Sequence, residues 1–209
     1  MSSPDKLIAG FKRFRELTFA DVETRFHDLV QFGQMPSTLV VGCCDSRVDP
    51  ALILDCAPGD LFVIRNVANL VPPAENQGHY HGTSAALEFG VRNLAVQHII
   101  VLGHAQCGGI HALLEGGVAG DDSFISEWMT IAEAARQKIE RELSGASSEA
   151  RHRACEKQAI LVSLANLMTF SWIRERVEQG NLALHGWYFD IERGELLGYD
   201  PASGVFEAL

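Results

Sequence analysis

The sequence predicts an α/β fold with a mainly parallel central β-sheet flanked by helices, preceded by an N-terminal helical arm. Two short apolar runs, residues 39–41 and 98–102, have the length and β-branched composition of buried strands. Between and after these runs lie segments whose apolar residues recur at helical spacing. An alternation of buried strands with helices is typical of parallel sheets that have helices on their faces.

The first 33 residues predict the helical arm. Ser3, Pro4 and Asp5 supply the capping residue, first-turn proline and acid that are typical of a helix start. An apolar stripe then follows at helical spacing, formed by Leu7, Ile8, Phe11, Phe14 and Leu17. A second helix, capped by Thr18, is predicted to end near Gly33. The stripe must pack against another surface, and a terminal helix often finds that surface in a second subunit.

The remaining pattern completes a single domain spanning residues 1–209. Strands are predicted at residues 61–64, 182–191 and 196–199, the last as an edge strand, and helices at residues 83–94, 123–143, 149–169 and 172–178. Residues 65–81 show no clear periodicity and contain Pro72 and Pro73. A long loop of this kind in a compact domain is often functional.

Three chemically distinct side chains stand at alternate positions after the first strand: Cys43, Asp45 and Arg47. Alternate residues of an extended chain share one face, so we expect the thiol, the carboxylate and the guanidinium to point the same way. Buried Asp and Arg residues are costly unless they pair, and these two are within reach of each other.

A second group follows the strand at residues 98–102. His104 and Cys107 are three positions apart, so one turn of chain brings their side chains together. If the two strands are parallel neighbours, both groups lie beyond their carboxyl ends, where open α/β sheets place their active sites. Cys43, His104 and Cys107, with Asp45 or water as fourth ligand, form the tetrahedral set that zinc prefers.

Two simpler interpretations compete with a catalytic zinc site. A free cysteine is usually a small buried hydrophobe, and Cys44, Cys56 and Cys155 are predicted to be core or loop thiols. A structural zinc site is the other interpretation, but such sites normally have four Cys or His ligands. Here three good ligands, and a carboxylate that Arg47 attracts, leave an open position that favours catalysis.

The two groups together resemble the β-class carbonic anhydrases. That family carries C-x-D-x-R after its first strand and H-x-x-C after its third, matched here by residues 43–47 and 104–107. Residues 59–69, 82–89 and 185–187 are also similar to the family. The resemblance is dense between residues 34 and 114 and thinner after that.

The resemblance implies a zinc lyase that hydrates carbon dioxide reversibly to bicarbonate and a proton. Zinc on the Cys-His-Cys set would carry the hydroxide that attacks carbon dioxide, while Asp45, held by Arg47, orients it. The family's substrate pocket maps onto Gln34, Phe62, Val67, Phe89 and the backbone N–H of Gly108. Phe89 replaces the tyrosine usual in plant-type members, so one hydrogen-bond donor is missing.

Some members of the resembled family are switched off when bicarbonate binds a second pocket lined by Trp, Arg and Tyr. The Asp of the dyad then moves onto zinc and displaces water. The matching positions here are Val40, Arg65 and Phe189, so only the arginine remains. We therefore predict no such switch: Asp45 would ligate zinc only in that closed, inactive state, and here it stays paired with Arg47.

Two other functions remain open. Hydrolysis of carbonyl sulfide or carbon disulfide could use the same zinc, and only pocket shape would discriminate between these substrates. A non-enzymatic protein stabilised by structural zinc needs neither Arg47, Gln34 nor an open ligand position. His79, His81 and His111 are proton-shuttle candidates through nearness in sequence alone, and solvated surface histidines are the simpler interpretation.

Composition limits the partners and the location. The net charge of −10 argues against nucleic acid as a partner, and no apolar run approaches membrane-spanning length. Five cysteines, several needed as thiolates, indicate a reducing compartment, and we expect a cytoplasmic location. The predicted partners are carbon dioxide or bicarbonate and, because the resembled family packs its N-terminal arm on a partner, a second copy of the chain.

Overall fold

One mixed β-sheet organises the fold. The computed structural model describes residues 3–75, 81–116 and 123–209. Within these residues the strands are β1 (Thr38–Cys43), β2 (Leu61–Asn66), β3 (His98–His104), β4 (Ala183–Asp190), β5 (Glu195–Asp200) and β6 (Val205–Ala208). Their order across the sheet is β2-β1-β3-β4-β5-β6, with the first four parallel and the last two joined antiparallel. The predicted α/β fold with a mainly parallel sheet is confirmed.

Helices surround this sheet in the described part of the chain. They are α1 (Pro4–Arg13), α2 (Phe19–Phe32), α3 (Pro50–Ile53), α4 (Gly82–Glu88), α5 (Gly108–Leu114), α6 (Phe124–Met129), α7 (Glu133–Glu142), α8 (Ser148–Leu167) and α9 (Ser171–Glu178). The longest, α8, packs against β3 and β4. None of these described helices combines the length and apolar content needed to cross a membrane.

The N-terminal arm consists of α1 and α2, joined by a π-helical turn at Phe14–Thr18. Arg25 in α2 donates hydrogen bonds to the Pro58 carbonyl and the Asp60 carboxylate, which tie the arm to the turn before β2. Its apolar stripe is uncovered in the single chain: Leu7 is 69% exposed and Leu17 is 72% exposed. That the arm packs on a partner subunit stays a prediction.

The strands extend further than their apolar runs. β1 continues to Cys43 and β3 to His104 because the backbone ladder carries on: Cys43 pairs with Asn66, and His104 pairs with Phe189 on β4. The prediction that residues 196–199 form an edge strand is wrong, because β6 pairs with the outer side of β5. The segment Val205–Ala208 is only four residues long, too short for its pattern to identify a strand, and its pairing with β5 makes it one.

Two predicted helices are interrupted. The helix predicted at residues 83–94 is α4 followed by a π-helical turn at Phe89–Asn93, in which the Leu94 N–H donates to the Phe89 carbonyl. The helix predicted at residues 123–143 breaks at a 3-10 turn, Thr130–Ala132, between α6 and α7. Ala132 is fully buried at this break, so tertiary packing overrides a local sequence that favours a continuous helix.

The core explains why β1 and β3 are apolar at nearly every position. Alternate residues of a strand point to opposite faces of the sheet. Leu39, Val41, Ile99 and Val101 belong to one buried cluster, and Val40, Ile100 and Leu102 belong to another. A sheet buried on both faces needs such continuous apolar strands, and these two strands end at the buried residues Cys43 and His104.

Gly103 allows α8 to approach β3 directly before His104. A Cβ atom at this position would lie 2.7 Å from Cδ1 of Ile160, which is too close for a buried contact. We expect Gly103→Ala to lower the free energy of unfolding by about 1–3 kcal/mol, measured by denaturant unfolding. Gly145→Ala is the matched control, because nothing lies within 4 Å of a Cβ there. Equal stability of the two variants would contradict this packing.

Candidate metal centre

Three potential metal ligands meet at the carboxyl ends of neighbouring parallel strands. Cys43 ends β1, His104 ends β3, and Cys107 is the residue before α5. Their ligand atoms all lie within 4.8 Å of one another, and all three residues are buried. The predicted grouping of Cys43, His104 and Cys107 is therefore present in the fold.

The orientation of His104 fits a metal ligand. Its Nδ1 atom lies 2.8 Å from the backbone carbonyl oxygen of Ala105 and donates a hydrogen bond to it. The other ring nitrogen, Nε2, then carries the lone pair, and it is buried without a hydrogen-bond partner among the described residues. Buried polar atoms without partners are rare. A metal ion at this point would satisfy Nε2, while the Ala105 carbonyl fixes the ring as outer-shell partners of metal-bound histidines do.

The two thiols of this cluster act on each other. The pKa of Cys43 is lowered because Cys107 donates a hydrogen bond to its thiolate, and His104 adds to the effect. The pKa of Cys107 is raised, first by the Cys43 thiolate and then by burial. Burial disfavours a charged His104, but the Cys43 thiolate raises the pKa of His104 overall. The cluster thus concentrates negative charge on sulfur, which a zinc-like dication would neutralise.

Asp45 and Arg47 form a bidentate ion pair next to the cluster. Arg47 Nε lies 2.9 Å from Oδ1 of Asp45, and Nη2 lies 2.7 Å from Oδ2. The Asp45 N–H itself points to Cys43 Sγ at 3.4 Å. Hydrogen bonds from Arg47 hold the pKa of Asp45 well below its usual range, so the carboxylate is ionised at neutral pH. Arg47 also donates to the Gln106 carbonyl at 3.0 Å, which links the two ligand loops.

The predicted reason why Cys43, Asp45 and Arg47 lie close together is wrong. They do not share one face of an extended strand, because β1 ends at Cys43 and the chain then turns. The Asp45 carboxylate accepts a hydrogen bond from the backbone N–H of Arg47 at 2.9 Å. Short polar side chains commonly stabilise turns in this way, and here the turn brings the guanidinium back onto the carboxylate.

Arg65 has a role that the sequence analysis did not predict. From the sequence, Arg65 was only matched to the arginine of the family's second bicarbonate pocket. The guanidinium instead donates to the carbonyl oxygens of Cys43 at 2.8 Å and Asp45 at 2.7 Å, and to the Asp49 carboxylate at 3.1 Å. Arg65 therefore fixes the backbone of the loop that carries Cys43 and Asp45.

Glu156 is a second residue that sequence reasoning missed. This buried carboxylate accepts a hydrogen bond from the backbone N–H of Cys107 at 3.1 Å and another from the Tyr188 hydroxyl at 2.8 Å. Burial raises the pKa of Glu156. The available signal was an acid placed between the core residues Cys155 and Ala159 of α8. A buried acid in a helix is rare without partners, and here its partners fix the backbone of a proposed ligand.

We expect Glu156→Ala to weaken zinc binding about 10–100-fold, the usual effect of losing an outer-shell contact. The change leaves the Cys107 N–H and the Tyr188 hydroxyl without an acceptor in a buried place. Competition with a chromogenic chelator measures the affinity. Cys155→Ala is the control, because this buried neighbour is outside the ligand cluster and its loss should leave zinc affinity unchanged. Equal affinity of both variants would contradict a positioning role for Glu156.

Two of the three apolar residues predicted to line the substrate pocket, Phe62 and Phe89, lie next to each other. The rings of Phe62 and Phe89 stack with centroids 5.8 Å apart. Val67 lies in the 3-10 turn after β2, and its carbonyl accepts a hydrogen bond from the Trp128 indole at 2.8 Å. Phe89 is 44% exposed and Val67 is 36% exposed. Val67 and Phe89 are therefore not simple core residues, whereas Phe62 is half-buried and packs against the main core cluster.

The two polar members of the predicted pocket differ in position. Gly108 is the first residue of α5, directly after Cys107, and a Cβ atom there would meet nothing within 4 Å. Gly108 lines a cavity together with Cys107, His111 and His152. Gln34 lies in the exposed loop between α2 and β1. The fold thus brings Gly108 next to a proposed ligand, whereas Gln34 stands on the surface of the single chain.

The three histidines considered as proton shuttles fall in different places. His79 lies outside the described residues. His81 lines a cavity together with Val67 and other residues of the loop after β2. His111 lines a different cavity, where its ring lies 4.6 Å from that of His152. The two described histidines are close to the proposed ligands in sequence, but they line different cavities.

Comparison with known proteins identifies the family. The profile of the carbonic anhydrase family matches residues 38–196. Two relatives from Arabidopsis thaliana are similar: beta carbonic anhydrase 5, chloroplastic, is 40% identical over 187 residues and 89% of this chain. Beta carbonic anhydrase 6, mitochondrial, is 39% identical over 189 residues and 90% of this chain. This chain spans 61% and 64% of those two proteins, less than two thirds of their length.

These relatives overturn the predicted location. A cytoplasmic protein was expected from the free cysteines, but the two plant relatives are named as chloroplastic and mitochondrial. The cytoplasmic prediction is therefore wrong. Its physical basis was too weak, because cysteine usage indicates a reducing environment and does not distinguish one such compartment from another.

Solved structures agree with the family profile. The β-carbonic anhydrase CcaA superposes with a TM-score of 0.92 at 37% identity, covering 98% of this chain and 91% of CcaA. A tetrameric β-carbonic anhydrase from the filamentous ascomycete Sordaria macrospora superposes with a TM-score of 0.77 at 30% identity, covering 98% of this chain and 95% of the fungal one. With the Cys-His-Cys cluster at the strand ends, these matches establish that the chain belongs to the β-class carbonic anhydrases.

Proposed function

We propose that this chain is a zinc-dependent lyase that hydrates carbon dioxide reversibly to bicarbonate and a proton. The observation that carries the proposal is the buried cluster of Cys43, His104 and Cys107, in which His104 Nε2 makes no hydrogen bond to any described residue. These three residues would hold the zinc ion. The family to which the chain belongs supports the reaction, and the donor set supports the metal.

A catalytic role for the metal is favoured over a structural one. Structural zinc sites are normally closed by four protein ligands, whereas catalytic sites keep one position for water or substrate. The Asp45 carboxylate is held by two hydrogen bonds from the Arg47 side chain, so it does not supply a fourth ligand. When bound, zinc would act as a Lewis acid that lowers the pKa of water, to about 7 in some zinc enzymes.

Asp45 and Arg47 would orient the attacking water molecule. With its carboxylate ionised and fixed by Arg47, Asp45 acts as a hydrogen-bond acceptor close to Cys43. Such an acceptor aligns an oxygen lone pair with the carbon atom of the substrate, which is the benefit of holding reactants in a productive geometry. Arg65 keeps the carbonyl groups of this loop in place, so the orientation does not depend on Arg47 alone.

The substrate would bind on an apolar surface beside this dyad. Carbon dioxide is small and apolar, and we assign Phe62, Val67 and Phe89 to its pocket, where they exclude bulk water. The Gly108 N–H and the Gln34 amide would donate hydrogen bonds to the oxygen atom that gains negative charge. Because Gln34, Val67 and Phe89 are exposed in the single chain, a second subunit would complete the pocket.

The exposed surface of the single chain supports a second copy of the chain as its partner. The uncovered apolar stripe of α1, including the 60% exposed Phe11, needs another surface to cover it. Solved relatives from Sordaria macrospora are tetrameric. We propose a dimer built partly by residues 1–33, which assembles further into a higher oligomer.

We also propose that bicarbonate does not switch this protein off through a second pocket. The guanidinium of Arg65 is engaged by its own chain at Cys43, Asp45 and Asp49. The other two matching positions, Val40 and Phe189, pack in one apolar cluster and supply no hydrogen-bond donor from their side chains. Asp45 accordingly stays on Arg47.

Stopped-flow measurements on the zinc-loaded full chain test the reaction. We expect rapid hydration of carbon dioxide, monitored with a pH indicator, and much slower hydrolysis of carbonyl sulfide and carbon disulfide. Protein stripped of zinc by a chelator is the control and should be inactive. A zinc-loaded protein that leaves carbon dioxide untouched but hydrolyses either sulfur compound would replace this proposal. Inactivity on all three substrates would instead support a structural zinc site.

A further inference from the structure

A second group of potential metal ligands lies outside the proposed active site. It consists of His111 on α5, Glu115 at the end of α5, and His152 on α8. Their ligand atoms all lie within 4.8 Å of one another. His152 Nε2 lies 3.5 Å from a carboxylate oxygen of Glu115, and the two imidazole rings are 4.6 Å apart. The three side chains therefore converge on one point between two helices.

The contacts of the two ring nitrogens of His152 fit a metal ligand. Its Nδ1 atom lies 3.4 Å from the Ser148 hydroxyl oxygen, which can accept the Nδ1 proton and fix the ring. Its Nε2 atom is buried and makes no hydrogen bond within the described part of the chain. Nε2 faces Glu115 and lies within 4.8 Å of a ligand atom of His111, so a metal ion between these side chains would give it the partner it lacks.

We propose that His111, Glu115 and His152 form a second binding site for a divalent transition metal of the zinc type. Two imidazoles and one carboxylate are a ligand set that zinc uses in proteins, with water in the remaining position. Imidazole nitrogen also selects such metals over magnesium and calcium, which prefer oxygen. His111 and Glu115 are exposed, so their side chains can rotate to bring the three ligand atoms to zinc distances of about 2.0–2.2 Å.

The surroundings favour a cation. The cavity beside this site measures about 680 Å³ and is lined by three carboxylates, those of Glu149, Glu156 and Glu192. Arg153, which also lines it, is paired with Glu149 at 3.0 Å and with Glu192 at 3.2 Å. The charge of Arg153 is therefore balanced by Glu149 and Glu192, which leaves Arg151 as the positive charge that acts on His152.

A metal at this point would join the two helices that hold Cys107. His111 stands one helical turn after Cys107, and its backbone N–H donates to the Cys107 carbonyl at 2.9 Å. On α8, Glu156 lies one turn after His152 and accepts the Cys107 N–H. The second metal would therefore fix α5 to α8 beside the proposed active site, without sharing any ligand with it.

Equilibrium dialysis of the full chain against zinc, followed by metal quantification, tests this site. We expect two zinc ions per chain at saturation and a loss of one ion in His152→Gln. His111→Gln, a change on an exposed helix face, should lose the same ion and guards against misfolding of the first variant. The matched control is His27→Gln, because His27 faces Glu23 at 3.7 Å on α2 but has no third ligand among the described clusters. It should keep both ions.

Cobalt as a probe separates this site from the proposed active site. A second equivalent of cobalt should add weak visible absorption without a thiolate charge-transfer band, because its ligands are nitrogen and oxygen. The Cys107→Ser variant should lose the thiolate band and keep the second set of features, so failure of the active-site proposal is seen separately. A thiolate band on the second equivalent, or a His152→Gln variant that binds as many ions as the unmodified chain, would overturn the proposal.

Discussion

Replacing Cys107 with Ser is expected to abolish carbon dioxide hydration together with tight zinc binding. A thiolate is a far better zinc ligand than a neutral hydroxyl group, and the replacement keeps nearly the same size at this buried position. Removing a direct ligand should reduce zinc affinity by more than the about 10–100-fold typical of outer-shell changes. Metal quantification after gel filtration and stopped-flow hydration assays measure the two losses.

Cys44→Ser provides the control for this experiment. Cys44 adjoins the ligand Cys43 in sequence, but it is exposed and belongs to no described metal-ligand group. The variant should retain one zinc ion at the active site and nearly full activity. A Cys107→Ser protein that kept both its zinc and its hydration rate would show that the Cys43, His104 and Cys107 cluster is not the catalytic centre.

Replacing Asp45 with Asn is expected to reduce kcat about 100-fold, as misplacement of a reacting group typically does, while leaving the zinc content unchanged. The carboxylate accepts two hydrogen bonds from the Arg47 side chain and one from its backbone. Asn offers one oxygen acceptor, and its NH₂ group faces the guanidinium unfavourably. The orientation of the carboxylate would therefore be lost, although none of the three proposed zinc ligands is touched.

Arg47→Gln should lower kcat as well, because Asp45 would lose the partner that fixes it. The control is Glu88→Gln, which breaks an exposed ion pair with Arg92 at 2.8 Å on the protein surface. Exposed pairs of this kind contribute little to stability, so activity should stay within about twofold. Loss of zinc from the Asp45→Asn variant would instead indicate that the carboxylate is a metal ligand. The proposal that Asp45 stays on Arg47 and forms no closed, inactive state would then be wrong.

The ligand cluster could be predicted from the sequence because its signals are local. Cys43 and His104 each end a continuous apolar strand, and Cys107 follows His104 by three residues. Parallel neighbours then bring the strand ends together. The prediction also assumed that β1 and β3 are parallel neighbours. Their apolar composition favours parallel strands, and the structure pairs the two strands directly.

The contacts that support the cluster could not be predicted in the same way. Arg65 and Glu156 reach Cys43 and Cys107 across separations of 22 and 49 residues. Such partners depend on the register of β2 and on where α8 crosses the sheet, and neither is visible in local spacing. The same holds for β6, whose pairing with β5 is decided by a neighbour rather than by its own composition.

Helix boundaries failed for a related reason. The spacing at residues 83–94 fits an unbroken helix, yet the chain forms a π-helical turn at Phe89–Asn93. Gly90 packs in this turn against Leu39 of β1, where a Cβ atom would lie 2.5 Å from Leu39 Cδ1. Contact with the sheet therefore changes the local helix type, and the spacing of apolar residues does not reveal that contact.

The most direct test of the account is the rate of carbon dioxide hydration as a function of zinc bound per chain. We expect the stopped-flow rate to rise linearly with zinc and to reach its plateau at one ion per chain, because a single Cys-His-Cys centre carries the reaction. Zinc that fills the His111 site afterwards should leave the rate unchanged. A rate independent of zinc content, or a fully loaded protein without hydration activity, would contradict the central claim.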